Sequence, residues 1–452
     1  MNTQNETRLG TEPLFRLMVR MALPSMAAQI VNLLYSVIDR IYVGHIAEVG
    51  TQALAGVGLT NAVITIIAAA AMIVGSGGAP RASIELGRGE REQAEYYLGN
   101  GFVLLGILTA ILMICAYAFM GLYLPAVGAS EVTLPYAQAY LRIYLLGTPF
   151  VMVTMGLNSF ISLQGRPGIS MLSVVLGAVI NIALDPVLIF ACGMGVRGAA
   201  LATVISQACS AAWILRFLLG PKASLRLRRD RMSVRGSVIG RTCTLGAAPF
   251  FMGSTEGLIG FVLNACLAVH GDIYVSALTV MQSMMMLVSA PLQGFAQGVS
   301  PVLSYNYGRG DTGRVKRAFG IQLAVMFLFN FIVVGTVILL PSAAARLYTA
   351  DEQLIAVITQ YMPLFLSGFL IFGLQRACQN TFVATGQALV SMFIALLRKI
   401  ILLIPLVIVL GRVLGVRGVY MGEAIADGTA ALLCTAIFCV KFPRILRSAQ
   451  HT

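Results

Sequence analysis

Charge is what this chain has least of. Only 11% of its 452 residues are Asp, Glu, Lys or Arg, against about 25% in an ordinary soluble domain. That is too little to cover the surface of a soluble protein this long, which excludes a cytosolic enzyme. Histidine is scarce as well: His45, His270 and His451 stand apart, leaving no HExxH or clustered-histidine metal site. The eight cysteines are scattered, nearly all in apolar runs, and none forms CxxC, so neither a zinc site nor a disulfide framework is indicated. A GxxxxGK[ST] phosphate loop is missing, and no polar stretch is long enough to bind a nucleotide. No cleavable signal peptide is expected, because the start is polar and the first apolar run continues to full helix length.

What is present is apolar. Residues of hydrophobic type make up 58% of the chain and the mean hydropathy is +0.86. A spanning helix takes about 20 apolar residues, and the pattern predicts spans near 17–40, 54–78, 97–120, 136–158, 169–190 and 196–218, then near 243–267, 277–300, 318–340, 357–379, 388–410 and 417–440. The expected fold is an all-α integral membrane protein of twelve transmembrane helices. The net charge of +13 is a topology signal rather than a nucleic-acid footprint. Of the 31 Lys and Arg, 21 fall in the terminal segments and alternate loops, seven of them between Lys222 and Arg241, while the opposite loops hold four. The positive-inside rule then puts both termini in the cytoplasm, with the chain in the cell's inner (cytoplasmic) membrane.

The sequence also repeats. Ala53-Leu54 followed by Gly87-Arg88-Gly89 returns as Ala277-Leu278 followed by Gly308-Arg309-Gly310, Asn158-Ser-Phe returns as Asn380-Thr-Phe, and Gly195-Val-Arg-Gly198 as Gly415-Val-Arg-Gly418. Six spans per copy give the copies one orientation, related by a pseudo-two-fold axis along the membrane normal, as in secondary transporters with a cavity between halves. The expected units are two six-helix lobes, 1–219 and 243–452, joined by a basic cytoplasmic loop, 220–242.

An ionisable side chain in hydrocarbon is costly and is a functional candidate by default. Asn32, Tyr35, Ser36 and Asp39 form one polar stripe at helical spacing, with Asp39 about 27 Å along its helix. The competing reading is an interfacial Asp39–Arg40 pair. Asn181 and Asp185 share a helix face, and Pro186 removes the next helical hydrogen bond. Thr203 on the sixth span reaches a similar depth. Such oxygens suit Na+, and paired carboxylates in a dry pocket can share a proton instead. Arg398 and Asp427 lie at one depth on consecutive helices and read as a buried structural charge pair, with Glu423 one turn from Asp427. Gln282, Met285 and Gln293 on the eighth span are candidates for the cavity, Met because its thioether adapts to varied apolar ligands. The glycine runs Gly75-Ser-Gly-Gly78 and Gly87-Arg-Gly89 are weak phosphate signals, better explained by close helix packing and a cytoplasmic turn.

The run from Ala22-Leu-Pro24 to Tyr35-Ser-Val-Ile-Asp39, with Asn181-x3-Asp185-Pro186 and Gly198-Ala-Ala-Leu-Ala-Thr203, resembles the multidrug and toxic compound extrusion (MATE) family, in particular its MepA-like bacterial branch. The likeness covers essentially the whole chain. It implies two helical bundles in a V, exporting cationic amphipathic compounds in exchange for H+ or Na+, with no cofactor. It also implies a cation-coupling site at Asp39, Asn181, Asp185 and Thr203. Glu256 resembles the seventh-helix Glu of the sodium-coupled branch. That branch's helix-ten Asp has no counterpart in Phe372-Gly-Leu-Gln375-Arg376, which leaves Glu256 to meet a cationic substrate alongside Asn32, Tyr35, Gln282, Met285 and Gln293. A monomer acting on small organic cations in the lipid bilayer is expected. The alternative is a lipid-linked oligosaccharide flippase of related architecture, which would want basic residues along its cavity.

Overall fold

The computed structural model describes residues 8–46, 49–127 and 129–450. In hydrocarbon every backbone polar group must be satisfied within the segment, and the described residues are accordingly helical, with no strand among them. In chain order the long helices are α1 (Leu14–Gly44), α2 (Gln52–Arg88), α3 (Arg91–Ala126), α4 (Leu134–Leu146 with Thr148–Ser162), α5 (Pro167–Ala191), α6 (Val196–Leu219), α7 (Gly236–Ala268), α8 (Asp272–Gly308), α9 (Thr312–Leu339), α10 (Glu352–Leu366 with Gly368–Ala384), α11 (Ala388–Leu414) and α12 (Val416–Ala449). Each predicted span falls on one of them to within a residue. α1 runs through Pro24 as one helix.

Two of the predicted spans are broken: α4 bends by 57° and α10 by 43°. The breaks fall at Gly147 and at Ser367, repeat-related positions. Both lie where the fourth helix of a lobe approaches the sixth closely: a Cβ on Gly147 would strike the Val204 side chain of α6, and one on Gly368, next to the second break, the Ala424 carbonyl of α12.

α3, α4 and α6 pack around Tyr97, Leu141, Phe160 and Ile214 in the first lobe, and α8, α10 and α12 around Met362, Phe365, Phe369 and Tyr420 in the second. The first helix of each lobe also packs into the other lobe. Leu17, Met18, Met21 and Ala22 of α1 join Leu292, Phe295, Val299 and Val315 of α8 and α9, while Val238 of α7, with Cys243 and Phe250 against it, belongs to the first-lobe core.

Small residues make these crossings close. A Cβ on Gly294 or Gly298 of α8 would collide with the backbone of Met26 or Ala22, and one on Gly77 of α2 or Gly246 of α7 with the backbone of Thr242 or Ile73. At the centre the contact is reciprocal: Gly87 of α2 lies on the Tyr305 carbonyl of α8, and Gly308 of α8 on the Ile84 carbonyl of α2. Gly87 is thus part of a helix and a packing surface rather than the turn the sequence suggested. Gly89, at φ 85°, makes the turn.

Segment 220–242 is tied to the first lobe. The Gln164 side-chain oxygen accepts from the Ser224 and Leu225 amides at 2.8 and 3.1 Å. Asn100 accepts from the Arg235 amide at 2.8 Å, Arg231 pairs with Glu92, and the Arg231 and Arg235 guanidinium groups both lie over the Tyr96 ring.

Candidate functional site

The first-lobe carboxylates converge. On α5, Asn181 and Asp185 stand one turn apart on the same buried face, both fully inaccessible. Pro186 follows, and the helix widens to a π-helical turn over Val187–Ala191, the local change expected where a hydrogen bond is missing. The start of α6 docks into that turn, with Gly198 against the Leu188 carbonyl, and brings Thr203 in beneath Asn181. The Asn181 amide reaches the Thr203 hydroxyl at 3.5 Å, and that hydroxyl donates to the Ala199 carbonyl at 3.1 Å.

α1 packs along α5 and brings Asp39, half-buried, close enough to Asp185 for the two carboxyls to interact electrostatically. Arg40 is exposed. Tyr35, one turn earlier, faces both carboxyls. No protein group among the described residues donates to either Asp185 oxygen, to the Asn181 side-chain oxygen or to Oδ1 of Asp39. The centre therefore gathers acceptor oxygens from two helices that no group among the described residues is hydrogen-bonded to, the Asn181 amide and the Thr203 hydroxyl being engaged with each other and with the Ala199 carbonyl. Two adjacent carboxylates in such a place are strongly unfavourable when both are charged and bare, and a bound proton or small cation relieves that cost.

The remaining sequence candidates are dispersed. Asn32 is half-buried on the α1 stripe. On α8, Gln282 is half-buried and Gln293 exposed, and one turn on from Gln293 the Gln297 side chain accepts from Gln29 of α1 at 3.0 Å across the lobe junction. Met285 lines an apolar space within the second lobe beside Met284, Val334 and Phe369. Glu256 lies on α7, and its side chain is outside the described residues. In the second lobe Arg398 donates to Asp427 at 2.6 Å and lies over the Phe372 ring, with Arg376 also on that ring. Glu423 is buried nearby, and Lys399, buried on the π-helical stretch Leu397–Leu403, donates to the Met252 carbonyl at 2.9 Å.

The MatE family model matches residues 24–187 and 250–409, one stretch in each half. The chain belongs to the MatE family. Similar to it are the multidrug export protein MepA of Staphylococcus haemolyticus, 24% identical over 94% of this chain and 93% of the relative, and two solved structures. One is a MATE protein in the bent conformation, with TM-score 0.91, 22% identity and 99% of each chain covered. The other is the outward-facing conformation of a multidrug resistance MATE family transporter, with TM-score 0.90, 22% identity and 100% and 99% coverage. As a MatE family member the chain is a multi-pass membrane transporter, not an enzyme.

Two members of the constellation escaped the sequence reading, Tyr140 and Tyr144 of α4. Both are buried and stack at 6.0 Å. Tyr140 lies near Thr203 and Asp39, and Tyr144 near Tyr35. Their signal was there as Tyr136-x3-Tyr140-x3-Tyr144, one helix face carrying a phenol every turn.

Proposed function

We propose that this chain is a secondary multidrug efflux antiporter that exports small cationic amphipathic compounds in exchange for H+ or Na+ by alternating access. The observation that supports this best is the pair Asp39 and Asp185, whose buried oxygens have no hydrogen-bond partner among the described residues, beside the likewise unpartnered Asn181 oxygen and the Thr203 hydroxyl. A cation arriving from outside occupies these oxygens and removes their repulsion. It drives export only if it favours one arrangement of the lobes over the other, because a ligand that binds both equally shifts nothing. Asp39, on a helix whose first half is buried against the second lobe, is placed to couple the two.

In this reading the lobes are 1–219 and 243–452, joined by 220–242, and the protein works as a monomer in the inner membrane with both termini cytoplasmic. Asn32, Tyr35, Glu256, Gln282, Met285 and Gln293 contribute to the substrate path, while Arg398–Asp427 is structural. The test is ethidium efflux from proteoliposomes under an imposed pH gradient or an imposed Na+ gradient. Wild type should respond to one of them and Asp39→Asn to neither, although the variant inserts normally. Full coupled efflux by the variant would refute the assignment, and no efflux by folded wild type under either gradient would transfer the reading to a lipid-linked substrate.

A further inference from the structure

Where the first helix of one lobe meets the third helix of the other, the structure has a cavity of about 610 Å³. It lies between Pro13 and Leu14 at the start of α1 and the face of α9 that carries Arg314, Arg317, Gly320 and Ile321. Along that face charge gives way to apolar surface. The two arginines occupy the first turns, and Ile321 and Ala324 follow, about 15 Å from Arg314 to Ala324 by helical rise. Arg314 is held in place: its guanidinium donates to the Asn306 side-chain oxygen at 3.0 Å and to the Glu12 carbonyl at 2.9 Å. Neighbouring carboxylates are already engaged, Glu12 by Arg20 at 2.8 Å and Asp311 by the Arg314 amide at 3.0 Å, where it caps α9. Arg317 is exposed at the rim. Gly320 leaves the wall open, since a Cβ there would meet nothing within 4 Å.

We propose that this groove binds an anionic phospholipid, its phosphate against Arg317 and Arg314 and an acyl chain along Leu14, Gly320 and Ile321. A headgroup-level pair of cations above an apolar wall at the end of a membrane helix fits a lipid, whereas a free phosphate has no use for the apolar half. The cytoplasmic leaflet is the source, a point that rests on the proposed orientation. A lipid seated here would reinforce the contacts that already hold the start of α1 on α9.

The test uses the full-length protein in nanodiscs of phosphatidylcholine, with or without phosphatidylglycerol, read by native mass spectrometry of retained lipid and by thermal unfolding. Wild type should retain phosphatidylglycerol in preference and unfold at higher temperature with it. Arg317→Gln should weaken retention about fivefold, the effect of one interfacial cation. Gly320→Leu should abolish retention by filling the groove, and both variants should unfold like wild type in the neutral lipid. Arg317→Gln, at an exposed position, decides the matter if Gly320→Leu folds poorly. Equal retention of both lipids, variants that retain phosphatidylglycerol as wild type does, or the same stabilisation by inorganic phosphate would each overturn the proposal. Neither readout involves transport, so failure here is separable from failure of the antiport reading.

Discussion

Asp185 is fully inaccessible, and neither of its carboxyl oxygens has a hydrogen-bond partner among the described residues. An isosteric amide keeps the volume and removes the charge that a cation answers. Asp185→Asn should therefore abolish gradient-driven efflux while leaving thermal stability at or above that of wild type, because a bare buried carboxyl is costly to the fold; a drop in stability with transport intact would reverse this assignment. Tyr140→Phe probes the next layer. Removing one polar hydroxyl from beside Thr203 should cost about 1 kcal/mol of cation affinity, so half-maximal efflux should need about fivefold more of the driving cation, with the maximal rate preserved. Asp39, Asn181, Asp185 and Thr203 were legible because a charge or amide in an apolar run stands out and helical rise gives its depth. Tyr140 was not, because a phenol suits an apolar helix and sequence says nothing of the rotation that turned it inward.

At the scale of the helix, small residues decide how closely elements approach, and their meaning depends on a partner that local sequence does not name. Gly87 looked like part of a turn because Arg88 and Gly89 follow it, yet it is the point where α2 rests on the α8 backbone, matched by Gly308 on α2. The bends of α4 and α10 were hidden as well, since hydropathy windows count apolar residues and do not register a change of helix direction. Overpacking such a contact costs about 1–3 kcal/mol. Gly87→Leu should force α2 and α8 apart and expose Ser83, which is buried and donates to the Pro301 carbonyl across this crossing at 3.3 Å. A cysteine at position 83 should then react with a membrane-impermeant thiol reagent applied from the side of the N-terminus, and should be protected without the leucine. Gly106→Leu is the control, since a Cβ there meets nothing within 4 Å. Equal protection in all three backgrounds would show that the crossing does not seal that side.

For the molecule, the pattern of contacts across the junction sets what motion is available. The contacts between Ala22 or Met26 and α8, between Ile73 or Gly77 and α7, and between Ile84 or Gly87 and α8 all lie toward the membrane face that bears the N-terminus, while Asp39 and Asp185 lie toward the other. The repeat explains the arrangement, since one axis relates α1–α8 to α2–α7 and passes through the reciprocal contact of Gly87 and Gly308. Tethering of 220–242 to the first lobe by Gln164 and Asn100 means that any rocking of the lobes begins at α7 rather than in a slack loop. Gln29 and Gln297 meet across the junction in a hydrogen bond of 3.0 Å, which a rocking of the lobes along α1 and α8, as in the proposed alternating access, would break. With both residues replaced by cysteine, a short bifunctional thiol reagent should stop efflux in proportion to the fraction of protein bridged, and a reductant that cleaves the bridge should restore it. Each single variant, and the wild type with its own cysteines, should be unaffected by the reagent. If bridged protein still transports at the full rate, the lobes do not separate along α1 and α8, and the motion has to be sought within one lobe instead.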